Sequence, residues 1–171
     1  MCERALNSTE QRTFRAARYA ALRSLEYTIR QLNNGDDSVA KVWLAVEHPK
    51  DLKELARRLK KIFEALQGIH ENLITYKPKG RWYAEVDEHD TSHAITLGAR
   101  FFETDTYGHN SRAGTLIHEI SHFTDVLATD DHAYGAEACL RLVRKAEQDD
   151  EKFQEVLSNA DNWEYLVERT F

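Results

Sequence analysis

Apolar residues recur at helical spacing along two long stretches of the first half of the chain. In the first, Leu22, Leu25, Ile29 and Leu32 form one stripe, and Ser8 with Gln11 supplies an S-x-x-Q capping box upstream. A helix is therefore predicted from Ser8 to about Leu32, ended by Asn33-Asn34-Gly35-Asp36-Asp37. A short helix is expected from Ser38 to Glu47, stopped by His48-Pro49. The strongest periodicity follows, with Leu52, Leu55, Leu59, Ile62, Leu66, Ile69 and Leu73 spaced by threes and fours. It predicts a helix from Asp51 to about Ile74 that packs on its own domain. Lys53, Arg57, Arg58, Lys60 and Lys61 read as its solvated face.

Past Lys77-Pro78-Lys79-Gly80 the pattern changes. Trp82 to Val86 and Ala94 to Leu97 read as strands around a polar turn from Asp87 to Thr91, and Arg100 to Glu103 as a continuation of the sheet. From Ser111 to Leu127 the helical period returns. The expected fold class is α+β, mostly helical with a small antiparallel sheet. One domain is expected over residues 1–171, with a helical platform in 1–79 and the strands and chemistry in 80–171.

Composition narrows the function classes. With 171 residues, 42% of them hydrophobic, the chain can build a real core. A net charge of −6 argues against a nucleic-acid partner, which calls for a basic face. No stretch approaches the ~20 apolar residues of a membrane span, and the N-terminal residues lack the apolar core of a secretory signal. The expectation is a chain that is cytoplasmic as synthesised, with a specialised export route or release from a longer polypeptide left open. Only Cys2 and Cys139 are present, so no disulfide framework is expected, and Cys139 reads as a buried small side chain in a helix.

The feature that carries chemistry is His118-Glu119-Ile120-Ser121-His122, an HExxH pattern. On a helix the two imidazoles project from one face and can grip one Zn²⁺, while Glu119 reaches a water beside it. Leu116, Ile120, Phe123 and Leu127 centre about 150° away from the histidines at 100° per residue, so one side faces core and the other a cleft. His89 and His93 share the same spacing but fall in the polar turn, where they read as surface residues.

Catalytic zinc sites normally carry three protein ligands. A histidine six residues after His122 is ruled out, because Ala128 stands there and Asp125 replaces the accompanying glycine. A glutamate about twenty residues on stays open, with Glu137 early and Glu151 late. The third candidate is Asp131, in the loop that leaves the helix.

The run from Ala113 to Gly135, AGTLIHEISHFTDVLATDDHAYG, resembles the active-site segment of the aspzincin metallopeptidases, the deuterolysin and peptidyl-lysine metalloendopeptidase family. His118, Glu119, His122, Phe123, Thr124, Thr129, Asp131, Tyr134 and Gly135 match its pattern, and Asn159-Ala160-Asp161-Asn162 matches a second segment. Weaker likeness covers Ser8-Thr9-Glu10-Gln11 and Gly98-Ala99-Arg100-Phe101-Phe102. Two departures are Ala128, where the family usually has glycine, and the absence of its usual disulfide cysteines.

The resemblance implies a zincin-like fold and a metalloendopeptidase with one zinc held by His118, His122 and Asp131. Glu119 would be the general base and Tyr134 a donor to the oxyanion. Asp161 and Glu164 would line a pocket for lysine, or a basic residue generally, on the leaving-group side of a peptide or protein substrate. The strand from Ala94 to Leu97 is expected to offer an edge to an extended substrate. Two rival readings stand beside this one: a hydrolase of cell-wall peptide cross-links, and a catalytically silent zinc-binding module.

Overall fold

The computed structural model describes residues 3–168. Helix α1 (Ser8–Asn33) opens on Asn7, whose side chain accepts from the Thr9 and Glu10 amides while Glu10 reaches back to the Asn7 amide. The capping box is thus Asn7 with Glu10, one residue ahead of the expected Ser8 and Gln11. The core face of α1 is Phe14, Ala17, Ala21, Leu25 and Leu32, with Leu22 and Ile29 at its margin. Its alanines leave room for close packing along α3 (Pro49–Gly68).

Helix α2 (Ser38–Leu44) ends earlier than its sequence suggests, at Ala45 in the left-handed region. Pro49 starts α3 rather than stopping α2. It occupies the first turn, where its missing N–H costs nothing, and His48 caps the next amide. Leu52, Leu55, Leu59, Ile62 and Leu66 are buried, so the periodic stripe packs inside its own domain as expected. The helix stops at Gly68, however. Glu71–Leu73 forms a single 3-10 turn, and Ile74 begins a strand, β2 (Ile74–Lys77).

Among the described residues the sheet has four strands in the order β1-β2-β4-β3, the others being β1 (Arg4–Ala5), β3 (Ala84–Glu85) and β4 (Ile95–Gly98). It is mixed, because β2 and β4 run parallel while β1 and β3 are antiparallel to their neighbours. Two strands come from the first 79 residues, so the sheet is shared between the expected halves. The segment read as a further strand is helix α4 (Ala99–Glu103), which buries Phe101.

Helix α5 (Arg112–His122) is capped by Ser111 and carries the HExxH pattern. It ends at His122, a turn before the expected Leu127. Leu116, Ile120 and Phe123 are fully buried, while Leu127 lies beyond the helix and is half-buried. Helices α6 (Ala136–Ala146), α7 (Asp150–Ser158) and α8 (Ala160–Glu168) follow, with Cys139 buried in α6. Cys2 lies outside the described residues. One apolar cluster joins α1, α3, α5 and α8 to the sheet, leaving α5 with its opposite side on a cleft. No helix among the described residues is long and apolar enough to cross a membrane.

Candidate metal centre

The cleft is walled by β3 and the loop before it, by α5, by the loop 129–135 and by the start of α8, and encloses about 710 Å³. From α5, His118 and His122 turn their rings toward each other with centroids 4.8 Å apart. Each imidazole is fixed by its Nδ1. That of His122 donates to the Thr129 carbonyl at 2.9 Å, an oxygen that can only accept. That of His118 lies 2.8 Å from Asp161 Oδ1 and 3.4 Å from Glu164 Oε2. With N–H on Nδ1 in both rings, both Nε2 lone pairs point into the same space.

Asp131 completes the group. Its Oδ1 lies 3.3 Å from His118 Nε2 and 3.6 Å from His122 Nε2. This oxygen is buried without a properly formed hydrogen bond, while Oδ2 accepts from the Tyr134 hydroxyl at 2.6 Å. A buried acceptor facing two imidazole nitrogens is a costly arrangement unless a cation joins them. The three ligand atoms lie within 4.8 Å of one another, and two nitrogens with one carboxylate oxygen suit zinc. Glu137 and Glu151, the alternatives left open by spacing, do not join the cluster.

His118, Asp161 and Glu164 form a second convergent group. Asp161 sits at hydrogen-bonding distance from His118 Nδ1, so this side of the ring holds a proton, and among the described residues no second imidazole joins this group.

The charges in this wall shape one another. Burial alone would push the His118 imidazole down, but the carboxylates of Asp131, Asp161 and Glu164 close around it carry it well above its usual value. A metal at Nε2 must therefore displace a proton. Burial lifts the Glu119 carboxyl to about 7, against the pull of His118. Burial likewise raises Asp131, but the nearby His118 imidazole and the bond from Tyr134 prevail and hold it at about 2. Partial burial and the bond to Asp131 push the Tyr134 phenol up to about 12, so it stays a donor. Glu164, fully buried, rises to about 7.

Asp161 and Glu164 both line the cleft, but their surroundings differ. Asp161 uses one oxygen on His118 and accepts the Gly135 amide at 2.6 Å with the other. It ties α5 to the loop that carries Asp131 and Tyr134. Glu164 leans on the first turn of α5, where Gly114 makes room. A Cβ there would meet Glu164 Oε1 at 2.7 Å and Glu168 Oε1 at 2.1 Å.

Other contributors are invisible to spacing arguments. Asn159 takes the Ala133 amide at 2.8 Å and returns a bond to the Ala133 carbonyl, and its amide also reaches Asn162 Oδ1. Asn162 in turn holds the Trp43 carbonyl. Ser121 bonds both the His118 carbonyl and the Thr129 hydroxyl at 2.6 Å. The only sequence signal for Asn159 was the polar run matched to the family's second segment. Ser121 gave none beyond its place inside HExxH.

Two expectations change. β4 is interior to the sheet, and the free edge bordering the cleft is β3. His89 is exposed as expected, but His93 is half-buried, stacked on Phe123 and bonded to Asp125 at 2.9 Å. Ala128 takes φ +52°, a left-handed position that glycine occupies more cheaply. Ala128→Gly is expected to stabilise the chain by about 0.5–1 kcal/mol, raising Tm by about 2–3 °C. A drop in Tm by calorimetry would show that this turn is not left-handed in solution.

Comparison with known proteins follows the same residues. The profile of the aspzincin family, described as lysine-specific metallo-endopeptidase, matches residues 31–168. A peptidyl-Lys metalloendopeptidase of Armillaria mellea is 45% identical over 74 residues, covering 43% of this chain and 19% of its own. An extracellular protease of Aeromonas hydrophila is 41% identical over 81 residues, covering 47% and 22%. A peptidyl-Lys metalloendopeptidase of Pleurotus ostreatus is 40% identical over 74 residues, covering 43% and 40%. These matches thus span less than half the length of each relative. A zinc peptidase from Grifola frondosa superposes with a TM-score of 0.73 at 24% identity, over 96% of this chain and 97% of that one, a likeness of fold.

Proposed function

From the premise that this chain belongs to the aspzincin family of lysine-specific metallo-endopeptidases, we propose that it is a zinc-dependent endopeptidase accepting lysine on the leaving-group side of the cut bond. The observation that carries this is the convergence of His118 Nε2, His122 Nε2 and Asp131 Oδ1 around an orphaned acceptor, with Glu119 in the same wall. These three side chains would hold one zinc ion. When bound, zinc polarises a peptide carbonyl and lowers the pKa of water from about 15.7 towards about 7.

The protein's own groups do the rest. Glu119, with its carboxyl near 7, is poised to take a proton from the attacking water and pass it to the departing amine. Thr129 and Asp161 hold the two rings so that neither must reorient. Tyr134, with its side chain well exposed on the rim, keeps its phenolic proton and can turn it from Asp131 to a developing oxyanion. The edge of β3 can pair with an extended substrate backbone.

The pocket beside α5 selects the residue that follows the cut. Glu164 is buried with its carboxyl raised to about 7, and a lysine ammonium beside it would favour the charged form. Asp161, engaged with His118 and Gly135, adds field more than a free oxygen. In peptides differing only at the position after the cut, lysine should be favoured over leucine by at least about tenfold in kcat/KM. Glu164→Gln should erase most of that ratio. Equal rates for lysine and leucine in the unaltered chain would remove the lysine pocket while leaving the peptidase reading intact.

A further inference from the structure

The cleft has two chemically different ends. At one, β3 and the turn before it meet the start of α4, where the Gly98 amide donates to the Tyr83 carbonyl and the Ala99 amide to the Gly80 carbonyl, both at 2.8 Å. The first residue of α5, Arg112, bonds the Phe101 and Phe102 carbonyls, so the beginning of α5 lies at this end too. At the other end the Thr124 amide, just past α5, donates to the Glu88 carbonyl at 2.9 Å. The cleft therefore runs parallel to α5, from Arg81 and Arg100 to Glu88.

Charge divides along the same axis. Arg81 and Arg100 line the first end and are exposed. Arg100 stacks over the Tyr83 ring at 5.9 Å, and among the described residues neither guanidinium pairs with a carboxylate. Arg12, Arg18, Arg30, Arg112 and Arg144 also lack a carboxylate partner among the described residues, so what sets Arg81 and Arg100 apart is their shared place on the cleft wall. Glu85, Glu88 and Asp130 line the remainder of the wall.

The direction of a bound substrate follows from the pocket, so this inference rests on the function proposed above. Glu164 lies against Gly114, in the first turn of α5, on the arginine side of the metal ligands. A chain with lysine in that pocket must continue toward Arg81 and Arg100. The same direction makes it antiparallel to β3, the pairing that β3 already makes with β4.

We propose that Arg81 and Arg100 form a carboxylate-recognising subsite, selecting substrates with Asp or Glu within the two positions that follow the pocket lysine. Arginine suits this role because its planar fork can grip a carboxylate with two parallel bonds. The acidic end disfavours the reverse placement, so the two ends act together to set register.

The test uses peptides that all carry lysine after the scissile bond and place Glu, Ala or Lys at each of the next two positions. Glu is expected to exceed Lys by about five- to tenfold in kcat/KM at one or both positions, mainly through KM. Raising salt to about 0.5 M should shrink the ratio, because exposed pairs are screened. Charge reversal in R81E/R100E should invert the preference, so that Lys exceeds Glu at the same position. Equal rates across the series, or a ratio untouched by reversal, overturn the subsite and leave the peptidase standing. No cleavage of any peptide overturns both.

Discussion

Glu119→Gln is expected to bind zinc as tightly as the unaltered chain and to cleave a lysine-containing peptide at least about 1,000-fold more slowly. Glu119 is not among the atoms that converge with Asp131, so its loss removes no ligand. What it removes is a buried carboxyl that burial lifts to about 7, matched to taking and returning a proton near neutral pH. Glutamine keeps the shape and the polar contacts but cannot accept that proton. Metal content measured beside the rate separates the roles: zinc lost together with turnover would make Glu119 a ligand and contradict the division.

Asp131→Ala carries the second large effect, with zinc affinity expected to fall by about 1,000-fold or more and activity at trace zinc to vanish with it. Two imidazoles alone hold zinc poorly, and the buried Oδ1 between them is the atom that closes the set. The same change frees the Tyr134 hydroxyl, which otherwise bonds Asp131 Oδ2. Tyr134→Phe is the control, losing that bond and the donor while keeping the ion. Thermal shift with and without added zinc reads the difference, because an ion that binds only the folded chain raises Tm. A zinc-dependent rise undiminished in Asp131→Ala would exclude Asp131 as a ligand.

These features differ in how far the chain's own pattern betrays them. His118 and His122 are legible because a four-residue spacing on a helix is local geometry, and the apolar residues Leu116 and Ile120 fix which side faces the core. Asp131 was one of several candidates by spacing, and family resemblance singled it out. Sheet order was opaque for a different reason. Ile69, Leu73 and Ile74 continue the apolar period of α3 past Gly68, which masks the stop, and the strand identity of Ile74–Lys77 comes from pairing with Ile95–Gly98, far along the chain. Arg100 to Glu103 misleads in the opposite sense, since its two phenylalanines suit a strand but Phe101 is buried from a helix. Asp161 shows the same limit at the site. Its acidity suggests a pocket, and only its distances to His118 and Gly135 reveal a clasp between α5 and the loop.

The zinc K-edge absorption spectrum of the loaded chain tests the central claim most directly. Two imidazole nitrogens and carboxylate or water oxygens at about 2.0–2.2 Å are expected, with the imidazole signal halved in His122→Ala. A sulfur shell near about 2.3 Å, or a spectrum that His122→Ala leaves unchanged, would contradict the account.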